Sequence, residues 1–382
     1  MRATSTHHLI LAVLGLAVFL FSCNDVPEPG LNYHEYAYVT NNGGNSVTVV
    51  DLRALRVLTT VLVGKNPSGI AANPRKNEVY VANTESNNIS VIDAETNKVA
   101  AVIGVHRAPL MIAVSADGNR AYVPNSGSAN LSVIDLDHRK VLRTISVGSG
   151  STLARVTPDG SLAVVMLRDE GAVALVDTQQ LALRSKIKVC NKPADLAIVP
   201  DSSKAFVACA ETNQVAVIDL RADKLIVLMD VGASPVHLAV KPDGGEVFVC
   251  NSGSSSVSEI ITASNEVNSS FLSGDRPVRG LVSPDNSLLY VVNSGSDNVS
   301  VYSIDNGRLV SSVTVGKGPG SVALSPNQFS LLVVNFASGD LTVLTLTDRK
   351  GRPRPDMPAL ETMVPLGRDP RAIAVKAFVG QR

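Results

Sequence analysis

The stretch Glu78–Asn119 reads EVYVAN, TESNN, ISVIDAETNKVAAVIGVHRAP, LMIAVSADGN, and it contains one complete unit of the fold. Apolar runs at Val79–Asn83, Ile89–Ile92, Lys98–Val105 and Ile112–Ser115 are split by turn residues at Ser86-Asn87-Asn88, Ala94–Asn97 and Asp117-Gly118. No segment holds an apolar period of about 3.6 residues, which excludes an amphipathic helix. Short runs broken by Asn, Gly and Asp turns every eight to twelve residues predict a meander of four antiparallel strands.

The same pattern extends in both directions. Asp51, Asp93, Asp135, Asp177 and Asp219 each close an apolar run, at constant steps of 42 residues. Tyr38, Tyr80, Tyr122, Val164, Phe206, Phe248, Tyr290 and Leu332 carry the same step through blocks that lack the Asp. A fixed period near 40 residues with short strands marks a radial array of sheets, an all-β propeller of four-stranded blades. The innermost strand of each blade is marked by Pro67, Pro109, Pro193, Pro235, Pro277, Pro319 and Pro370, with Ser151 in the remaining slot. These positions predict eight blades. One face of the strand carries small residues (Ala71, Ala113, Ala197, Ala239, Ala323, Ala374) and the other large ones (Ile70, Ile112, Leu196, Leu238, Val322, Ile373), so that blades converge toward an axis. The domain is expected over 36–378. The C-terminal strand Arg371–Phe378 is expected to join the N-terminal blade and close the ring without exposed edges. The last blade carries an insertion, Asp348–Thr362 (DRKGRPRPDMPALET), read as a solvated spacer or a partner contact.

Tyr38-Val-Thr-Asn41, with its echoes Tyr80-Val-Ala-Asn83 and Tyr122-Val-Pro-Asn125, the Val-Ile-Asp runs and Ser-Pro-Asp-Asn at 283–286, resembles the YVTN-repeat β-propeller family, the YncE-like proteins. The resemblance covers Tyr36 to about Phe378. It implies the propeller fold and is almost silent on function. Seven is the family's common blade number, and it is the alternative if the degenerate block Leu162–Ser203 does not form.

Residues 1–22 read as an export signal. Arg2 supplies the positive start, and Leu9–Phe21 form an apolar run too short to span a bilayer as a helix. Leu20-Phe21-Ser22-Cys23 resembles the bacterial lipobox, which implies lipidation at Cys23; an ordinary cleaved signal is the alternative. Residues 23–35 (from Asn24, NDVPEPGLNYH) read as a Pro/Gly tether. The expectation is an exported, membrane-anchored lipoprotein, periplasmic or at the outer membrane and cell surface. By resemblance to enterobacterial sorting, Asn24 gives no inner-membrane retention signal.

Lys+Arg and Asp+Glu are each 34, Trp is absent and aromatics make up 4%. Zero formal charge and few stacking rings argue against nucleic-acid binding, including the single-strand DNA binding suggested for some YncE-like proteins. A monomer is expected. Beyond the lipobox, Cys190, Cys209 and Cys250 remain. Cys190 precedes one strand and Cys209 ends its antiparallel neighbour, so a Cys190–Cys209 disulfide is the first reading, with Cys209–Cys250 or three buried thiols as alternatives.

Loops leading into the innermost strands surround the mouth of the central channel. The second residue after the Pro slot reads Gly69, Met111, Leu153, Asp195, His237, Arg279, Ser321 and Ala372. Asp195, His237 and Arg279 should therefore line one arc of the mouth. Arg155 sits in an Ala slot and needs a partner, with Asp195 the candidate; His106 replaces a Gly near the same rim. Three readings stand for this arc: a polar network linking blades, a ligand-binding site, and a catalytic site. Arg168-Asp169-Glu170 read as a solvated turn, and the repeated Asn41, Asn83, Asn125, Asn251, Asn293 and Asn335 as braces of their own turns. No Gly-x-Ser-x-Gly, His-Glu-x-x-His, Cys-x-x-Cys-His or phosphate loop occurs, and His34, placed in the tether, and His138, in a turn on the opposite face, leave too few histidines for a haem or metal site; no cofactor or metal is expected. The leading reading is a non-enzymatic scaffold that binds a protein or small ligand. The rival is a channel-mouth enzyme resembling lactonase and lyase propellers, with His237 as acid–base, Asp195 orienting it and Arg279 holding a carboxylate.

Overall fold

The computed structural model describes residues 32–347 and 358–380; the signal, Cys23 and most of the tether lie outside the described residues. The chain folds as eight four-stranded antiparallel sheets in a ring. Blade 2 is the type: Pro67–Ala72 innermost, then Glu78–Asn83, Asn88–Asp93 and Lys98–Gly104 at the outer edge. Blade 1 combines Tyr33–Asn41, Ser46–Asp51 and Arg56–Leu62 with the last strand, Pro370–Val379, as its innermost member. The innermost strands of blades 3 to 8 are Ala113–Val114, Ser151–Val156, Asp195–Ile198, Pro235–Val240, Pro277–Val282 and Pro319–Leu324. Each of these packs beside the next, and Pro370–Val379 contacts Pro67–Ala72 to complete the circle. The degenerate block at 162–203 forms a full blade 4, so seven blades are excluded.

The 42-residue period has a local cause. Each tracer Asp ends a third strand and accepts the amides two and three residues later, as Asp93 Oδ1 does from Glu95 (3.0 Å) and Thr96 (2.8 Å). That fixes a tight turn into the outermost strand, and Asp51, Asp135, Asp177 and Asp219 repeat it. The middle two strands of every blade are buried on both faces, for instance Val79–Asn83 throughout. Both faces pack because each sheet lies between two neighbours. A fully buried Val, Leu or Ile contributes about 1.5–3 kcal/mol, and such residues make up most of the core, with Ala, Tyr and Phe among the rest.

Two boundaries differ from the sequence reading. The first strand begins at Tyr33, where Tyr33, His34 and Glu35 pair with Val379, Phe378 and Ala377. His34 therefore belongs to the sheet and not to the tether, its ring 5.3 Å from that of Phe378. At the insertion, 348–357 lie outside the described residues, and Ala359–Pro365 already form the outermost strand of blade 8.

Candidate ligand-binding site at the channel mouth

A bulge creates the mouth. In blades 2, 4, 6, 7 and 8 the register between the innermost strand and its neighbour slips directly after the Pro slot, between Pro67 and Gly69 and at the equivalent places. The residue after the slot is left out of the ladder, and the next one is re-aimed toward the following blade. Side chains here bond forward around the ring. Ser68 Oγ donates to the Leu110 carbonyl at 2.8 Å, and Arg155 Nε donates to the Leu196 carbonyl at 2.6 Å. Asp195 Oδ2 accepts the Leu238 amide at 3.0 Å, and His237 Nδ1 accepts the Gly280 amide at 3.1 Å.

Asp195, His237 and Arg155 thus come together. Asp195 is buried, with Arg155 Nη2 at 3.8 Å from one oxygen and His237 Nε2 at 3.7 Å from the other. Because Nδ1 accepts a backbone amide, the ring proton of neutral His237 sits on Nε2, facing the carboxylate. Burial pushes the His237 pKa down to about 4, against the opposing pull of Asp195. Gly280 stands where most blades carry a large residue; a Cβ there would meet Ala239 at 3.1 Å and the Cys250 sulfur at 3.3 Å. Burial likewise pushes the Cys250 thiol up to about 12, so it is a protonated packing group.

His106 does not join the arc. It is exposed, and its ring meets Thr144 Oγ1 at 3.1 Å on the outermost strand of blade 3. His138 lies in a turn with Asp135 at 2.9 Å. Cys190 and Cys209 are bonded, with Cα atoms 5.9 Å apart, tying the loop before Asp195 to the second strand of blade 5. Glu170 is more than a solvated turn residue. It accepts the Ser149 amide at 2.8 Å, the place taken by Ser86 and Ser128 in blades 2 and 3.

Arg279 continues the row in blade 7 and lines a cavity of about 580 Å³. In blade 8 the two positions after the Pro slot are Gly320 and Ser321, which border the same cavity. Arg279 and Arg371 are the charged residues that line it. Arg371 Nη2 pairs with Asp369 at 2.9 Å and stacks 5.5 Å from the centre of the Phe336 ring. Phe336 is 40% exposed, and its ring fits because Gly318, at φ 64°, and Gly320 carry no side chain. Sequence reasoning missed Arg371 and Phe336. Their signal was present: Phe336 follows Asn335 where other blades have Thr84, Ser126, Ser252 or Ser294, and Arg371 is the one charged residue directly after a Pro slot.

No protein-family model matches the chain, and no curated protein sequence does. Solved structures share the fold. Kuenenia stuttgartiensis hydrazine synthase superposes with a TM-score of 0.59 at 23% identity, covering 73% of this chain and 95% of that one. The dihydro-heme d1 dehydrogenase NirN, in complex with DHE, gives 0.73 at 15% identity over 91% of this chain and 75% of that one. A functionally unknown protein from Desulfotomaculum acetoxidans DSM 771 gives 0.59 at 18%, with 89% and 98% covered. At these identities the likeness is one of fold.

Proposed function

We propose that the protein is an exported, lipid-anchored propeller of the YVTN-repeat, YncE-like type that binds a ligand at its channel mouth and does not act on it chemically. One observation carries this reading. The groups suited to acid–base work are already engaged: Asp195 and His237 each accept a backbone amide from the next blade, while the cavity beside them is lined by arginines. A general base needs a free lone pair and a pKa near the working pH. His237, with Nδ1 occupied and a pKa near 4, has neither.

The anchor and the address rest on Leu20–Cys23 and the apolar run before it. Replacing Cys23 by Ser should move the protein from the membrane to the soluble fraction after cell fractionation; retention in the membrane would remove the anchor. For the mouth, a pull-down from membrane extracts should recover a partner or ligand that is lost when Phe336, Arg279 and Arg371 are replaced together. Recovery of nothing by the parent protein counts against the binding role.

A second reading is an enzyme of lactonase or lyase type at the same mouth, supported by the Asp195–His237 contact of 3.7 Å. It requires lactone turnover that is lost in His237→Asn; no turnover by the parent protein ends it.

A further inference from the structure

We infer that the channel mouth takes a small amphiphilic monocarboxylate, its charge on Arg279 and its apolar body against Phe336. This deepens the binding role proposed above and rests on it.

The charges at the mouth nearly cancel in pairs. Arg155 faces Asp195 at 3.8 Å, and Arg371 holds Asp369 at 2.9 Å. His237 is neutral near pH 7, with its pKa at about 4. Arg279 is left over. Among the described residues it has neither an ion-pair nor a hydrogen-bond partner, although it lines the cavity and is only partly exposed. A guanidinium in a concave, partly apolar site is under-solvated, and a planar carboxylate is the anion that matches its fork of donors. One uncompensated cation calls for one negative charge. A phosphate dianion or a dicarboxylate would leave charge unmatched in a confined site.

Most of the remaining wall is apolar, with Ser68, Ser252, Ser294 and Ser321 as its neutral polar groups. Met111 and Phe336 are 37% and 40% exposed, and Ile70, Val236, Val278 and Ile373 complete the wall. Exposed Met and Phe around a recess are the usual lining of a small-molecule site, with few polar groups fixing orientation. The Phe336 ring is already covered on one side by the Arg371 guanidinium, which leaves its remaining exposed surface for a flat apolar group. The small pair Gly320 and Ser321 opens the floor between the two arginines. The space, about 580 Å³, suits a ligand of drug size rather than a folded partner.

The test uses the full chain in detergent buffer, with 4-phenylbutyrate and its neutral counterpart 4-phenylbutanol as probes, followed by titration calorimetry. Ser321→Trp, which fills the cavity, serves as the blank in the same buffer. The expected result is saturable binding of 4-phenylbutyrate, absent in Ser321→Trp. Arg279→Gln should weaken it about tenfold to a hundredfold, the size of a lost charge-assisted contact, and Arg279→Lys should restore part of it. Unchanged thermal midpoints for the Arg279 variants exclude misfolding as the cause. If 4-phenylbutanol binds as well as the acid and Arg279→Gln changes nothing, the carboxylate class is overturned while mouth binding stands. If neither probe binds but the pull-down still depends on the mouth residues, the inference falls alone. If both fail, it falls together with the binding role.

Discussion

Blades 2 and 5 solve the same problem with opposite chemistry. In blade 2 the second strand ends in Asn83, whose amide donates to Asn88 Oδ1 at 2.8 Å and Ser90 Oγ at 2.9 Å, bracing the hairpin across the mouth face. Blades 1, 3, 6, 7 and 8 repeat this brace from Asn41, Asn125, Asn251, Asn293 and Asn335. In blade 5 the Asn slot is Cys209 and the facing Ser slot is Ala216; blade 4 has Leu167 and Ala174. Both partners changed together, so no polar group was stranded in the core, and Cys209 is bonded to Cys190 instead. The two apolar hairpins stand next to the Arg155, Asp195 and His237 arc. A ring of near-identical modules thus concentrates its departures in one sector, where covalent and cross-blade polar contacts replace the internal brace.

That contrast can be broken at its strongest point. Cys190→Ser with Cys209→Ser frees a 19-residue separation and should lower the unfolding free energy by roughly 3 kcal/mol in guanidinium titrations. A loss under about 0.5 kcal/mol would mean the staple is idle and the apolar hairpins suffice. Acid sensitivity should map to the same sector. His237 has a folded pKa of about 4 against 6.5 when unfolded, so the unfolded chain takes up the proton first. Stability should therefore be complete above about pH 6.5 and fall as pH drops toward 4, by up to roughly 3 kcal/mol. His237→Asn should flatten that slope between pH 4 and 7; an unaltered slope would assign it to other groups.

Smaller effects test the polar hairpins. Asn83→Ala should cost about 1–2 kcal/mol by thermal denaturation, because Ser90 stays buried without its donor. Asn83→Leu combined with Ser90→Ala copies the blade 4 pair and should recover part of that loss. If the double variant is worse than the single one, the two hairpin types are not interchangeable. The mildest change is Arg155→Ala. With its side chain 45% exposed, its pairing to Asp195 is largely screened, and a loss below about 1 kcal/mol is expected. Asp195→Ala should exceed it, since the buried Leu238 amide loses its acceptor.

The architecture was readable because the period is written by turn chemistry: an Asp that must cap the turn after it, a Pro that must start a strand, and alternation of small and large residues toward the axis. The Arg155–Asp195 contact was readable for a related reason, since a charge in an Ala slot needs a counter-charge nearby. The mouth was less so. Which residue after the Pro faces the axis depends on a bulge, and a bulge leaves no periodic trace. His106 looked like a neighbour of the arc by position and bonds outward to Thr144. Tyr33–Glu35 resembled tether because their strand character comes from Phe378 and Val379, remote in the chain. Arg371 lies at the first residue after the Pro, one short of the position the pattern marks, and Phe336 lies in the hairpin after Asn335, outside that pattern.

The seam in blade 1 sets the order in which this molecule can be made. Thr40 and Ala372, 332 residues apart, share reciprocal contacts of 3.1 and 3.5 Å, so the first blade stays incomplete until the final strand has been made. Until then the emerging chain carries an open edge at each end of a growing arc. Contacts of such long separation form slowly. The step that finishes the ring is the arrival of a single short segment, Pro370–Val379.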